Sequence, residues 1–449
     1  MWPPRFSANS NWIPNATGAG VDIFWLVCLF VAGACLGRLA NIAIYSIRVP
    51  PRPPDMPPRS RPLSSRRPAD WIPIVGWFFR ARDSGPGPAG AWKRPLVVEL
   101  FAAAGVAALY WWEVEQKGLL PPVGLGRMLF PGFMPHPDGI WVHGDFPRVL
   151  HVLFATHVAL VMLMLVASLI DIDEMIIPDE VTVPGALAAL AAAAIFPWVL
   201  LPGMTWPGPG RGVSFLTLTF PCNWPPVLDG APQVTSLAIG LACYWAWCVA
   251  LLPWLWRPGL GYGRAARMLL AYVPRRVSPL IWIVMPLAGG LVIAGVWFAG
   301  GARWAGLLTA LVGLAAGGGL VWIVRVLGGA ILGREAMGFG DVTLMAMIGA
   351  LLGWQAVLVV FFLAPLAALL VGLLQWIIHR DNVLPYGPYL CLAAVAVIVG
   401  WVPVWERIAQ ILQVGPLVPL ALLLCLPLMA VLFFLVRVVK SLFQPRNAS

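Results

Sequence analysis

Uninterrupted apolar stretches about as long as a bilayer is thick recur along these 449 residues. About 20 apolar residues in a helix cross the ~30 Å hydrocarbon core. A membrane barrel would instead show alternation over segments of ~10 residues, and the runs here do not alternate. Eleven runs read as spans: 21–47, 95–112, 149–170, 181–200, 235–256, 279–299, 303–325, 342–354, 356–378, 384–402 and 415–437. The expected fold is all-α, a polytopic transmembrane helical bundle. The eighth run is short and is expected to be a half-helix dipping into the bundle. With 60% hydrophobic and 11% charged residues, the chain carries more apolar surface than a soluble fold can use.

Charge in the connecting loops orients the bundle. The loop after the first run carries Arg48, Arg52, Arg59, Arg61, Arg66, Arg67, Arg80, Arg82, Lys93 and Arg94. The loop after the fifth carries Arg257, Arg264, Arg267, Arg275 and Arg276, and the tail carries Arg437, Lys440 and Arg446. Basic loops stay in the cytoplasm. One arrangement satisfies all three: amino terminus outside, carboxyl terminus inside. The first run lacks a preceding basic segment and a cleavage site, so it is expected to be a retained span. The net charge of +10 reads as topology and contact with anionic membrane lipids. No aromatic-basic module accompanies it, so nucleic acid is not an expected partner. Six of the seven cysteines sit in apolar runs and Cys222 sits alone in a loop, with no CxxC pair. No metal site and no disulfide framework are expected.

Acids near hydrocarbon are costly and usually functional. SLIDIDEMIIPDE (168–180) holds Asp171, Asp173, Glu174, Asp179 and Glu180 between the third and fourth runs. EAMGFGD (335–341) puts Asp341 at the start of the eighth. The span count places both corners at the same cytoplasmic depth. Two carboxyls within hydrogen-bond reach share one proton, so one can activate water while the other polarises a carbonyl. Gly338 and Gly340 would admit unusual backbone geometry and a closely approaching substrate strand. The plainer reading is that Asp341 caps a helix and that Asp179 and Glu180 are caps or interfacial charges. Asp173 and Glu174 read as a solvated face.

Six segments, in order, resemble the type IV prepilin peptidases, membrane aspartic proteases of the GxGD class: GRLANIAIYSIRVP (37–50), ADWIPIVGWFFRAR (69–82), WKRPLVVELFAA (92–103), SLIDIDEMIIPDEVTVP (168–184), EAMGFGDVTLMAMIGALLGWQA (335–356) and LPYGPYL (384–390). The resemblance implies catalytic aspartates at Asp171 and Asp341, with Asp173 the runner-up for the first, and motif glycines at Gly338 and Gly340. It implies an endopeptidase needing no metal or cofactor. Its substrates would be type IV prepilin-like or type II secretion pseudopilin precursors, cleaved at the cytoplasmic face of a bacterial inner membrane. Many relatives also N-methylate the new amino terminus, and S-adenosylmethionine is the cofactor that activity would take.

Three departures stand out. The loop 52–92 has none of the family's four cysteines; Pro and Arg stand there, and Trp71, Ile72, Ile74, Trp77, Phe78 and Phe79 are left to hold it or to lie on the membrane surface. Thr343 stands where the family often has Lys. The stretch 201–301 is an insertion with two extra spans, and 403–449 adds another. The expected divisions are 1–47 (outer terminus and first span), 48–94 (Pro/Arg-rich cytoplasmic loop), 95–200 (spans with the first aspartate), 201–301, 302–402 (GxGD spans) and 403–449. A proton- or cation-coupled transporter using the same acids, or a catalytically silent scaffold, are the competing readings. A reporter fused after Arg67 or Arg276 is expected to read cytoplasm, and one near Gly210 the outside. A cytoplasmic signal at Gly210 would break the shared depth of the two acidic corners.

Overall fold

The structure, a computed structural model, describes residues 23–47, 72–82, 92–120, 146–205, 212–221, 233–251, 279–332, 337–379 and 385–413. The expected span 415–437, the loops 48–70 and 257–276, Cys222, Cys425 and the basic tail lie outside them. Each of the other ten expected spans coincides with a helix. These are α1 (Ile23–Ser46), α3 (Lys93–Tyr110), α4 (Phe146–Glu174), α5 (Asp179–Ile195), α6 (Val234–Ala250), α7 (Pro279–Ala299), α8 (Gly301–Leu332), α9 (Phe339–Leu352), α10 (Trp354–His379) and α11 (Gly387–Val399). A short α2 (Val75–Arg82) precedes α3. Five described helices are long and apolar enough to cross a membrane, or six if a bent pair counts as one span; α6, α9 and part of α7 are shorter apolar helices. The protein is a polytopic helical membrane bundle.

At the centre lies α9. Its 14 residues rise only about 21 Å, too short for the hydrocarbon core. Every residue from Asp341 to Leu352 is buried. It packs chiefly on α8, and also on α5 and α10. The close approach to α8 depends on Gly313 and Gly317, four residues apart on one helix face. A Cβ on Gly313 would strike the Gly349 carbonyl, and one on Gly317 the Met345 carbonyl. Within a membrane, small residues at this spacing let two backbones touch, and dispersion replaces the absent hydrophobic drive.

Two elements differ from expectation. The run 384–402 ends at Val399; the chain then turns by 92° into α12 (Trp401–Leu412). Here Trp401, Trp405, Ala409 and Leu412 are buried, a spacing that lines one helix face. The stretch after α5 forms a hairpin, β1 (Pro202–Thr205) against β2 (Gly212–Phe215), with Pro202 opposite Phe215. This hairpin and the turn after it cover the end of α9 remote from Asp341. Trp401 Nε1 donates to the Pro202 carbonyl at 2.6 Å, Trp354 Nε1 to Leu218, and Gln355 Nε2 to Thr217 and Phe220. Phe220 stacks on Trp405. Helices α6 and α7 pack on each other and on α8.

The described segment 72–82 is held against α1 and α3. Glu99 of α3, fully buried, takes the Ile74 backbone N–H at 2.7 Å on Oε2. Its Oε1 is contacted by Arg38 and Asn41 of α1, each at 3.3 Å. Ile74 adopts φ 64° to make the turn into α2. The Arg38 guanidinium lies 4.8 Å from the ring centre of Trp77, which is 3% exposed. Ile72 and Phe78 remain exposed. Of the expected aromatic cluster Trp77 packs inward and Phe78 does not, and the side chains of Trp71 and Phe79 lie outside the described residues. Further along α3, a π-helical turn (Trp111–Glu115) aims Glu113 at His157 Nδ1 of α4, 2.7 Å away, with both side chains buried.

Gly317→Val is expected to destabilise the bundle by about 1–3 kcal/mol or more, because the added side chain meets backbone that cannot yield. Thermal unfolding in detergent, read beside the exposed-face change Leu291→Ala, checks it.

Candidate active site

Helix α4 continues past its apolar run to Glu174, so Asp171 sits in its last turn. The chain then turns at Met175, φ 56°, and Pro178 starts α5 with Asp179 and Glu180 in the first turn. Acids there suit the positive end of the helix dipole. On the other side of the cleft, Gly338 precedes α9, and Asp341 stands three residues on.

These two helix ends and the start of α11 enclose one cavity of about 620 Å³. Asp171 and Asp341 both line it, with Asp179, Tyr386, Phe339 and Ile177 among the remaining wall residues. Each is held by a peptide donor: the Gly387 N–H gives to Asp171 Oδ2 at 3.1 Å, and the Gly338 N–H to Asp341 Oδ2 at 3.2 Å. Both aspartates are more than nine-tenths buried. The capping reading of Asp341 is therefore half of what its carboxyl does; the other half faces the cavity.

Asp173 goes elsewhere. Two residues along a helix turn a side chain to nearly the opposite face. It pairs with Arg94 of α3 at 2.8 Å, while Arg94 Nη2 donates to the Leu169 carbonyl. The pair braces the last turn of α4 and so sets the rotation at which Asp171 enters the cavity. Glu174, expected on a solvated face, is buried at 8% exposure, because the helix runs on into the bundle before turning.

Pro178 is the cap residue of α5 and no side chain caps it, so the reading of Asp179 as a cap is corrected. Its carboxylate instead takes the Thr343 hydroxyl at 3.3 Å. Thr343 also lies 2.9 Å from the Thr182 hydroxyl and 3.1 Å from the Gly340 carbonyl. Where the resemblance led one to expect a lysine, a buried hydroxyl joins α9 to α5. Gly338 has φ −69° and ψ 155°, open to any residue, so unusual backbone geometry is not its role. Gly340 is needed for space: a Cβ there would stand 2.6 Å from Ile177 Cβ. Arg325 of α8 lies over the Phe339 ring at 5.5 Å and supports the cavity wall.

Missed by the sequence reading were Arg94, Tyr386, Gly387 and the Thr343–Asp179 contact. LPYGPYL carried a signal as a motif, but nothing in it names the side chain it faces. Among the described residues no group of three or more His, Cys, Asp or Glu is placed to hold a metal.

Fold and site together define a class: a helical membrane bundle that buries two facing-helix aspartates in one cavity. Comparison with known proteins narrows it. Residues 274–373, which include Asp341, match the model of the Type IV leader peptidase family. The chain is 31% identical over 173 residues to a prepilin leader peptidase/N-methyltransferase of Aeromonas hydrophila, covering 37% of this chain and 52% of that one. It is 34% identical over 148 residues to the protein of that name in Dickeya chrysanthemi (31% and 51% covered). With the Pseudomonas putida protein of that name it shares 29% identity over 143 residues (28% and 48%). The chain spans about half the length of the curated relatives it matches. No solved structure matches it. The resemblance to the type IV prepilin peptidases holds.

Proposed function

We propose that the protein is a membrane aspartic endopeptidase of the prepilin-peptidase kind, with Asp171 and Asp341 as its catalytic pair. The observation that carries this is their shared cavity: two buried carboxylates from two neighbouring helix ends, each steadied by one peptide N–H. One carboxylate takes a proton from water as it attacks the scissile carbonyl, and the protonated partner gives its proton to the carbonyl oxygen. No metal or cofactor enters that step. The family match across Asp341 favours this over the transporter and scaffold readings.

The substrates are leader peptides of type IV prepilin-like or type II secretion pseudopilin precursors. Cleavage takes place at the cytoplasmic face of a bacterial inner membrane, with the amino terminus of the enzyme outside. The hydrophobic segment of the substrate lies against the bundle, and its leader reaches the cavity at the membrane edge. Methyl transfer with S-adenosylmethionine belongs, in relatives, with the cytoplasmic loop. That loop has no cysteine here, and its described part hangs on Glu99 and Trp77. We expect methyl transfer to be reduced or absent.

Asp171→Asn and Asp341→Asn are each expected to abolish cleavage of a co-expressed precursor at unchanged enzyme abundance, read by amino-terminal sequencing of the product. Asp173→Asn, which loses only a brace, should lower the rate much less. Near-normal cleavage by either of the first two would overturn the assignment.

Mass spectrometry of the mature product tests the second activity. With this enzyme the sole candidate present, a new amino terminus without an added methyl group is expected. Stoichiometric methylation would refute the loss.

A further inference from the structure

The start of α11 contributes a donor that its own helix cannot use. Pro388 has no N–H, and the N–H groups of Tyr389 and Leu390 turn back to the Tyr386 carbonyl. The Gly387 N–H points the other way, into the bundle, and meets Asp171 Oδ2 at 3.1 Å. The first N–H groups of a helix have no partner within it. A carboxylate buried away from water requires a donor in turn. Each group therefore answers the other's need across a long stretch of sequence.

Residue 387 has no room for a side chain. A Cβ there would stand 2.7 Å from Asp171 Oδ2 and 2.8 Å from Ile177 Cδ1. Both are the far ends of side chains, so the bundle could accommodate alanine by rotating the carboxylate aside. Cysteine 391, one turn further along α11, donates to the Met164 carbonyl of α4 at 3.7 Å, so the two helices are in register over that turn.

We propose that Gly387 is a positioning residue: its bare backbone lets the first peptide N–H of α11 hold the Asp171 carboxylate in the cavity it shares with Asp341. The proposal rests on the endopeptidase reading above. It assigns to the LPYGPYL turn the task of aiming one carboxylate, and it separates Gly387 from Gly340, whose bareness serves packing against Ile177.

Gly387→Ala tests it. Single-turnover cleavage of a synthetic precursor in detergent is expected to slow by at least about tenfold with KM little changed, since misaligned catalytic groups cost rate rather than binding. Adding Ile177→Val removes the competing methyl contact. If the defect is misdirection of Asp171, the rate stays low; recovery of the rate would show a packing fault and overturn the proposal. A rate within about twofold of the parent would overturn it too.

Thermal unfolding completes a double-mutant cycle. Gly387→Ala should lower Tm in the parent and lower it less in the Asp171→Ala background. An equal loss in both backgrounds would overturn the proposal. If Gly387→Ala alone fails to accumulate, accumulation in the Asp171→Ala background supports the coupling, and failure there as well refutes it. Because the cycle needs no activity, it reports on Gly387 even if Asp171→Asn proves active and the endopeptidase reading falls.

Discussion

Burying two carboxylates at the end of an apolar bundle sets the terms for everything around them. Such a group costs several kcal/mol without a compensating donor. Side-chain donors are scarce in a chain that is 11% charged, and peptide N–H groups at helix starts fill the gap. Asp341 uses the N–H that opens its own helix, and Asp171 borrows that of α11. The cavity therefore lies where three helix ends converge. None of those ends could shift by a turn without stranding a charge.

Such convergence requires one helix to stop inside the bundle. Being only 14 residues long, α9 starts at the cavity and ends beneath the hairpin 202–215 and the helix α12. Its contact with α8 runs backbone to backbone through Gly313 and Gly317. The hairpin turn supplies carbonyls to Trp354 and Gln355 at the far end. The covered end and the cavity end are thus the two ends of one short helix.

Much of this was legible in the sequence. Apolar run length located ten helices, because hydrocarbon thickness leaves little freedom in span length. The short eighth run announced a half-helix. Asp171 and Asp341 stood out because acids are rare beside such runs, and the ordered motifs ranked Asp171 over Asp173. What was not legible depends on pairings across the chain. Nothing local tells that Arg94 turns Asp173 away, that Thr343 reaches Asp179, or that Gly387 faces Asp171. The π-helical turn that brings Glu113 to His157 was equally silent, since its apolar pattern is that of an ordinary helix. The run 384–402 was carried two residues past the bend at Gly400 because Trp401 and Val402 are as apolar as what precedes them, and α12 beyond it was not foreseen.

The Glu99 clamp carries a consequence for how this chain can change. Among the described contacts, the segment entering α2 meets the bundle through the Ile74 N–H on Glu99 of α3 and the Trp77 ring beside Arg38 of α1. A mooring that reads backbone and a single ring makes few demands on neighbouring letters. What Glu99 asks of residue 74 is a backbone N–H, which every residue type but proline carries.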